Sequence, residues 1–259
     1  MNNLRFGVCA LPEQVGAAAR AGYDYLEMDI NALLKLHSEQ YRAMASDMEK
    51  YGIYPEVLSG ILPPGIDIVG GHVSAKEIHE ALDHSFEIAR ALGAEMMVFD
   101  CPFARRLPLD FDPAMAWRQL GNFIRMLQSY AADNDMRVTL LPMRRSVADL
   151  MSYTSEATLI SAMLRLDRVG VAASSYNMAM EAESLPALRR CGSLLWHLRT
   201  SNVLGNRFPR PGDGEDYASL LAMLNEMSYE GRISCEGGCA DFEKDAKEAL
   251  ALLKEAAAK

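Results

Sequence analysis

Glu236 closes the run Gly231-Arg232-Ile233-Ser234-Cys235, whose β-branched and apolar residues read as a short strand. Earlier in the chain, Leu194-Leu195-Trp196-His197-Leu198-Arg199 reads as another strand, and it carries an imidazole. A carboxylate and an imidazole at the ends of neighbouring strands could begin a metal site or serve as a proton-transfer pair. The two strands that precede the histidine strand end in Leu141-Pro142 and Ser174-Ser175 and bring no further acidic group. The constellation therefore reads as incomplete.

The elements that must hold these groups are legible. Short apolar runs are expected as strands near 5–8, 25–28, 55–58, 96–99, 138–141, 169–173, 194–198 and 233–235. Helical periodicity fills the intervals, most clearly at 75–92, 114–133, 157–166, 217–227 and 242–259. Ser74 suits a helix N-cap with Glu77 as its capping-box partner, and Gly93 suits a helix C-terminus. Strands alternating with helices in a chain of this length predict an α/β fold, a parallel (β/α)8 TIM barrel forming a single domain over residues 1–259. A doubly wound sheet is the alternative, but no Gly-x-Gly-x-x-Gly follows the first strand.

Composition narrows the function. The chain has 259 residues, of which 50% are hydrophobic, enough for one large core. A net charge of −9 argues against nucleic-acid binding. No apolar run is long enough to span a membrane, and the start runs straight into a strand without a signal-peptide pattern. Cys9, Cys101, Cys191, Cys235 and Cys239 are scattered and odd in number, which implies free thiols in a reducing cytoplasm.

In a TIM barrel the active site lies at the C-terminal ends of the strands. Residues expected at this mouth include Glu27, Asp100, Cys101 and Asn177. Arg105, Arg106, Arg144, Arg145, Arg199, Arg207 and Arg210 also fall on these segments. Guanidinium groups bind phosphate and carboxylate bidentately, so the cluster suggests a small anionic ligand. The alternative is a set of solvated loops with local ion pairs.

The stretch from His197 through Arg207-Phe208-Pro209-Arg210-Pro211-Gly212-Asp213-Gly214-Glu215-Asp216-Tyr217 to Ser228-Tyr229-Glu230-Gly231 and Glu236 resembles the sugar phosphate isomerase/epimerase family of xylose isomerase-like TIM barrels. The resemblance continues through Tyr176-Asn177-Met178-Ala179-Met180, Ala91-Leu92-Gly93-Ala94, Cys101-Pro102-Phe103-Ala104-Arg105-Arg106 and Gly22-Tyr23-Asp24-Tyr25-Leu26-Glu27, and covers essentially the whole chain. It implies a divalent Mn, Co or Mg ion held by Glu, Asp, His and Glu from strands five to eight, with the two glutamates moving a proton beside a carbonyl. Carried over by position, these fall on Leu141, Ser174, His197 and Glu236, and a further family histidine falls on Asn177. A hard divalent cation needs several oxygen ligands, so no metal cofactor is expected here.

Several roles follow from the resemblance and from the mouth positions, most with a plainer alternative. Glu236 is the expected general base, or else a carboxylate paired with a neighbouring arginine. His197 could shuttle a proton or orient a ligand, or else pack in the barrel top. Glu27 could replace the lost second acid/base. Cys101 could contact substrate as a nucleophile or soft ligand, or else be a buried thiol. Arg105, Arg106, Arg144, Arg207, Arg210 and Asn177 are expected to bind substrate. The function implied is isomerisation or epimerisation of a small anionic sugar or sugar acid without the usual metal. The alternative is a non-catalytic sugar-binding or regulatory protein that kept the pocket. A metal held by a different set (Glu236, His197, Cys101 and Glu27) is a third reading. Endonuclease activity is set aside for want of histidines. Family members often dimerise, so the resemblance admits a homodimer.

Overall fold

The computed structural model describes residues 4–258; residues 1–3 and 259, including the expected end of the last helix at Lys259, lie outside it. Eight parallel strands close into a barrel in chain order. They are β1 (Arg5–Cys9), β2 (Tyr25–Asp29), β3 (Val57–Ser59), β4 (Met96–Phe99), β5 (Arg137–Leu140), β6 (Val169–Ser174), β7 (Leu195–Thr200) and β8 (Arg232–Cys235). The α-helices are α1 (Val15–Ala21), α2 (Ile30–Leu33), α3 (Ser38–Tyr51), α4 (Ala75–Leu92), α5 (Pro113–Asp133), α6 (Thr154–Leu164), α7 (Ser175–Met180), α8 (Tyr217–Glu226) and α9 (Phe242–Ala257). The barrel expectation is met. Strand and helix ends differ from the sequence reading by a few residues, because caps and turns, not hydrophobic periodicity, fix the termini.

Polar residues start the helices. Asp29, Ser74, Asp112, Ser174, Asp216 and Asp241 accept from first-turn backbone N–H groups of the helices that follow them. Gly93 takes a left-handed conformation with φ 70° and ends α4 as expected.

The main core lies between strands and helices, where Val8, Leu26, Leu58, Leu140 and Ile233 meet the apolar faces of the surrounding helices. A smaller cluster fills the barrel lumen with Tyr25, Val57, Met96, Val98, Leu141 and Ala172, joined by Met143 and Trp196. Two glycines make room for its aromatics. A Cβ on Gly7 would sit 2.2 Å from the Tyr25 ring, and one on Gly170 would sit 2.4 Å from Trp196. The lumen floor is closed by charge. Glu56 pairs with Arg5 at 2.5 Å and Arg232 at 2.7 Å, and both guanidinium groups lie over the Tyr25 ring. Above this layer the interior becomes acidic and basic rather than apolar, and there the candidate site lies.

Candidate active site

Strand periodicity puts alternate residues on the same face. On β7, His197 and Arg199 both point into the lumen; on β2, Glu27 rises above Tyr25. Glu27 is 1% exposed and fully engaged. Its Oε2 lies 2.8 Å from His197 Nε2, and its Oε1 accepts from Arg199 Nε at 2.8 Å. The imidazole therefore carries its hydrogen on Nε2, and its Nδ1 has no hydrogen-bond partner among the described residues. Arg199 reaches on to Asp100 Oδ2, 2.9 Å from Nη2. Its Nη1 lies 3.8 Å from Glu236 Oε2. Glu236 accepts from the Ser174 hydroxyl. Asp100 accepts from the Gly60 N–H at 3.0 Å.

The electrostatics separate these groups. Burial works against charge on Glu27, yet Arg199 and His197 outweigh it and hold the carboxyl well below its ordinary range. Burial also opposes the Arg199 charge, but Glu27 and Asp100 prevail and keep the guanidinium firmly protonated. Glu236 goes the other way. Burial raises its pKa despite Arg199 and Ser174. Its side chain keeps 16% exposure, so the group holds a proton more readily than an ordinary glutamate while still open to the mouth. It sits immediately after β8, where the fold places reacting groups.

Other expected site residues sit elsewhere. Arg105 does not face the mouth: it is fully buried. Its guanidinium donates to the carbonyls of Leu141 at 3.1 Å, Leu150 and Met151 at 3.4 Å and Cys101 at 3.5 Å. It also lies 5.0 Å from the Phe99 ring centroid. Burial lowers its pKa to about 10. It ties the loops after β4 and β5 together. Cys101 is likewise buried, accepts from the Leu62 N–H at 3.3 Å, and is pushed up to about 12 by burial. Glu27 and His197 are both buried and bonded to each other, a pairing the sequence reading did not anticipate. The two neighbouring arginines of the β4 loop thus diverge: Arg106 is exposed and bound to Asp149 at 3.5 Å and to the Ser146 carbonyl.

Arg144 stays near the β6 end of the mouth. It is half-buried, lies over the Tyr176 ring and donates to buried Asn177 at 3.5 Å. Arg207 and Arg210 are exposed and line a cavity of about 510 Å³ with Phe208, Cys239 and Lys244, between the loop after β7 and the start of α9. The sequence reading put Asp100 and Arg199 on mouth segments but gave neither a role in the site. The two-residue spacing of His197 and Arg199 on a strand was the available signal.

The residues present do not fit a divalent cation. At the β5 position Leu141 offers no side-chain ligand and its carbonyl is bonded to Arg105. The Ser174 hydroxyl donates to Glu236. The register pairs Ser174 with Arg199 and Ala172 with His197, so the β7 residue level with Ser174 is a cation, and His197 lies a layer deeper. Among the described residues no three His, Cys, Asp or Glu side chains form a group that could hold a metal ion as they stand, with the Arg199 guanidinium between Glu27, Asp100 and Glu236.

A profile of the family described as xylose isomerase-like TIM barrel matches residues 15–256. The curated proteins contain no match. Solved structures share the fold across the chain. A D-psicose 3-epimerase crystallised in the presence of D-fructose superposes with a TM-score of 0.83 at 14% identity, covering 99% of this chain and all of that one. A D-allulose 3-epimerase from Methylomonas sp., in complex with D-allulose, gives 0.81 at 18% identity, covering 98% of each chain. The 3-keto-D-glucoside 4-epimerase from E. coli gives 0.78 at 20% identity, covering 98% of this chain and all of that one.

Proposed function

This chain belongs to the xylose isomerase-like TIM barrel family, and from that premise we propose that it is a sugar isomerase or epimerase that moves a proton beside a carbonyl without a divalent metal. The observation that carries this reading is Glu236, a partly exposed carboxylate after β8 whose pKa burial raises, facing the Arg199 guanidinium. An acid/base group must sit near its working pH to take a proton and return it.

In the step proposed, the ionised Glu236 carboxylate removes the proton from the carbon next to the carbonyl. The electron pair moves onto the carbonyl oxygen, where an Arg199 Nη1–H stabilises the developing charge. Glu236 then returns the proton to the adjacent carbon for an isomerisation, while the hydroxyl proton moves between the two oxygens. Epimerisation needs a second proton-transfer group on the opposite face. Asp100, on the other side of the guanidinium from Glu236 and 17% exposed, is the carboxylate placed for that role. Glu27 and His197 serve as positioning residues that fix Arg199. Arg144 and Asn177, at the β5–β6 side of the mouth, would bind an anionic end of a sugar acid or sugar phosphate. Arg207 and Arg210 stand further out along the β7 loop for the same class of group.

The epimerase neighbours support sugar as the ligand class. The test is product analysis by NMR after incubation of chelator-treated protein with ketoses, sugar acids and sugar phosphates. Turnover that is lost in Glu236→Gln supports the proposal. A second reading, a non-catalytic sugar-binding protein, is favoured by the apolar Leu141 at the β5 position. Ligand-induced thermal stabilisation without turnover across the panel would establish it instead.

A further inference from the structure

We propose that the Arg199 guanidinium is a built-in cation occupying the point where the acidic side chains of the mouth converge, and that it is what keeps a divalent metal out. Three strands contribute carboxylates to one arginine. Glu27 from β2 approaches Nε at 2.8 Å and Nη2 at 2.5 Å. Asp100, after β4, lies 2.9 Å from Nη2, and Glu236, after β8, lies 3.8 Å from Nη1. These groups enclose the guanidinium from separate sides of the barrel, as ligands enclose an ion. Arg199 is 10% exposed and Glu27 is 1% exposed, so water screens these contacts weakly.

The register gives the same answer independently of the contacts. Arg199 pairs with Ser174 on β6 and Ser234 on β8, two residues below Glu236. β7 thus brings Arg199 between the strands that carry Ser174 and Glu236, whose side chains bond to each other. A guanidinium differs from a metal ion in what it can do. It supplies directed N–H donors and one positive charge, so it can polarise one oxygen through Nη1 but cannot chelate a vicinal oxygen pair at close range. Its charge is also fixed by covalent attachment and cannot be removed by chelators. The inference deepens the proposed function and shares its site, but its test needs no substrate, so a failure here is separable from a failure to find turnover.

The experiment measures Mn²⁺ binding by calorimetry, and melting temperature with chelator or Mn²⁺, for the wild-type chain, Arg199→Ser and Arg199→Lys. Wild type and Arg199→Lys, which keeps the charge, are expected to show no saturable binding and no Mn²⁺-dependent melting shift. Arg199→Ser leaves the carboxylates without their cation. It is expected to bind Mn²⁺ saturably, with a Kd at least about tenfold below the highest concentration at which wild type shows no binding, and to melt higher when Mn²⁺ is present. If Arg199→Ser is unfolded in chelator, Mn²⁺ is expected to restore its folded circular-dichroism signal. Saturable Mn²⁺ binding by wild type overturns the proposal. So does an Arg199→Ser variant that neither binds Mn²⁺ more tightly than wild type nor regains structure with it.

Discussion

Glu27→Gln tests whether the sealed carboxylate anchors the site. The substitution keeps shape but removes the negative charge from a side chain that is 1% exposed and accepts from both His197 and Arg199. Removing one partner of a buried ion pair costs about 3–5 kcal/mol, because the other charge is left without compensation. Arg199 keeps Asp100 at 2.9 Å, which places the loss near the lower end. A chain of this size loses roughly 2–4 °C of melting temperature per kcal/mol, so a fall on the order of 10 °C is expected. Arg20→Gln is the control. It breaks an exposed pair with Glu243 and should leave the melting temperature unchanged. The pH dependence supplies a second readout. The Glu27 pKa lies below its ordinary value of 4.5 in the folded chain, so its stabilisation is complete above 4.5 and is lost as pH falls below it. Glu27→Gln should flatten that part of the acid limb. Scanning calorimetry from pH 3 to pH 8 measures both effects. A variant that melts within about 2 °C of wild type, with the same acid limb, would refute the reasoning.

Glu236 behaves in the opposite sense. Its folded pKa is raised, so its contribution to stability is greatest below 4.5 and declines as pH rises through the folded value. Glu236→Gln is therefore expected to be as stable as wild type or more so at neutral pH, measured by urea denaturation, while losing about 10²–10⁴ of kcat/KM. The pH profile of kcat/KM should fall on the acid side at a higher pH than an ordinary glutamate would give, since the base must be ionised. Arg105→Met should cost on the order of 3 kcal/mol in denaturation experiments, because the Leu141 and Cys101 carbonyls, among others, lose a donor. KM for an anionic substrate should not change. A thiol reagent should label exposed Cys239 quickly, while buried Cys101 and Cys235, both pushed up to about 12, react only on unfolding.

Much of the barrel was legible because its strands are short apolar runs between helices with a strong 3.6-residue period, and because Ser74 and Gly93 mark the ends of α4. Glu236 was legible for the same reason: a carboxylate one residue past a β-branched strand must lie at the mouth. The fate of Arg105 was not. Two adjacent arginines in a loop look alike in sequence, and only the path of the chain through Phe103–Arg105 decides that one turns inward to backbone carbonyls and the other meets Asp149. The depth of His197 was not legible either. Its pairing with Ala172, rather than Ser174, is a matter of register, and a register shift between Val171 and Ala172 displaces it further from what strand spacing alone suggests. Asp100 gained its importance only from the arm of Arg199 that crosses the lumen to reach it.

Proton transfer by Glu236 in the absence of a metal is tested most directly by hydrogen exchange. Chelator-treated protein would be incubated in D₂O with a panel of ketoses, sugar acids and sugar phosphates, and deuterium at carbon followed by NMR. The expected result is deuterium on a carbon next to the carbonyl of at least one sugar, abolished in Glu236→Gln and undiminished by chelator. Exchange that requires added Mn²⁺, or that persists unchanged in Glu236→Gln, would contradict it.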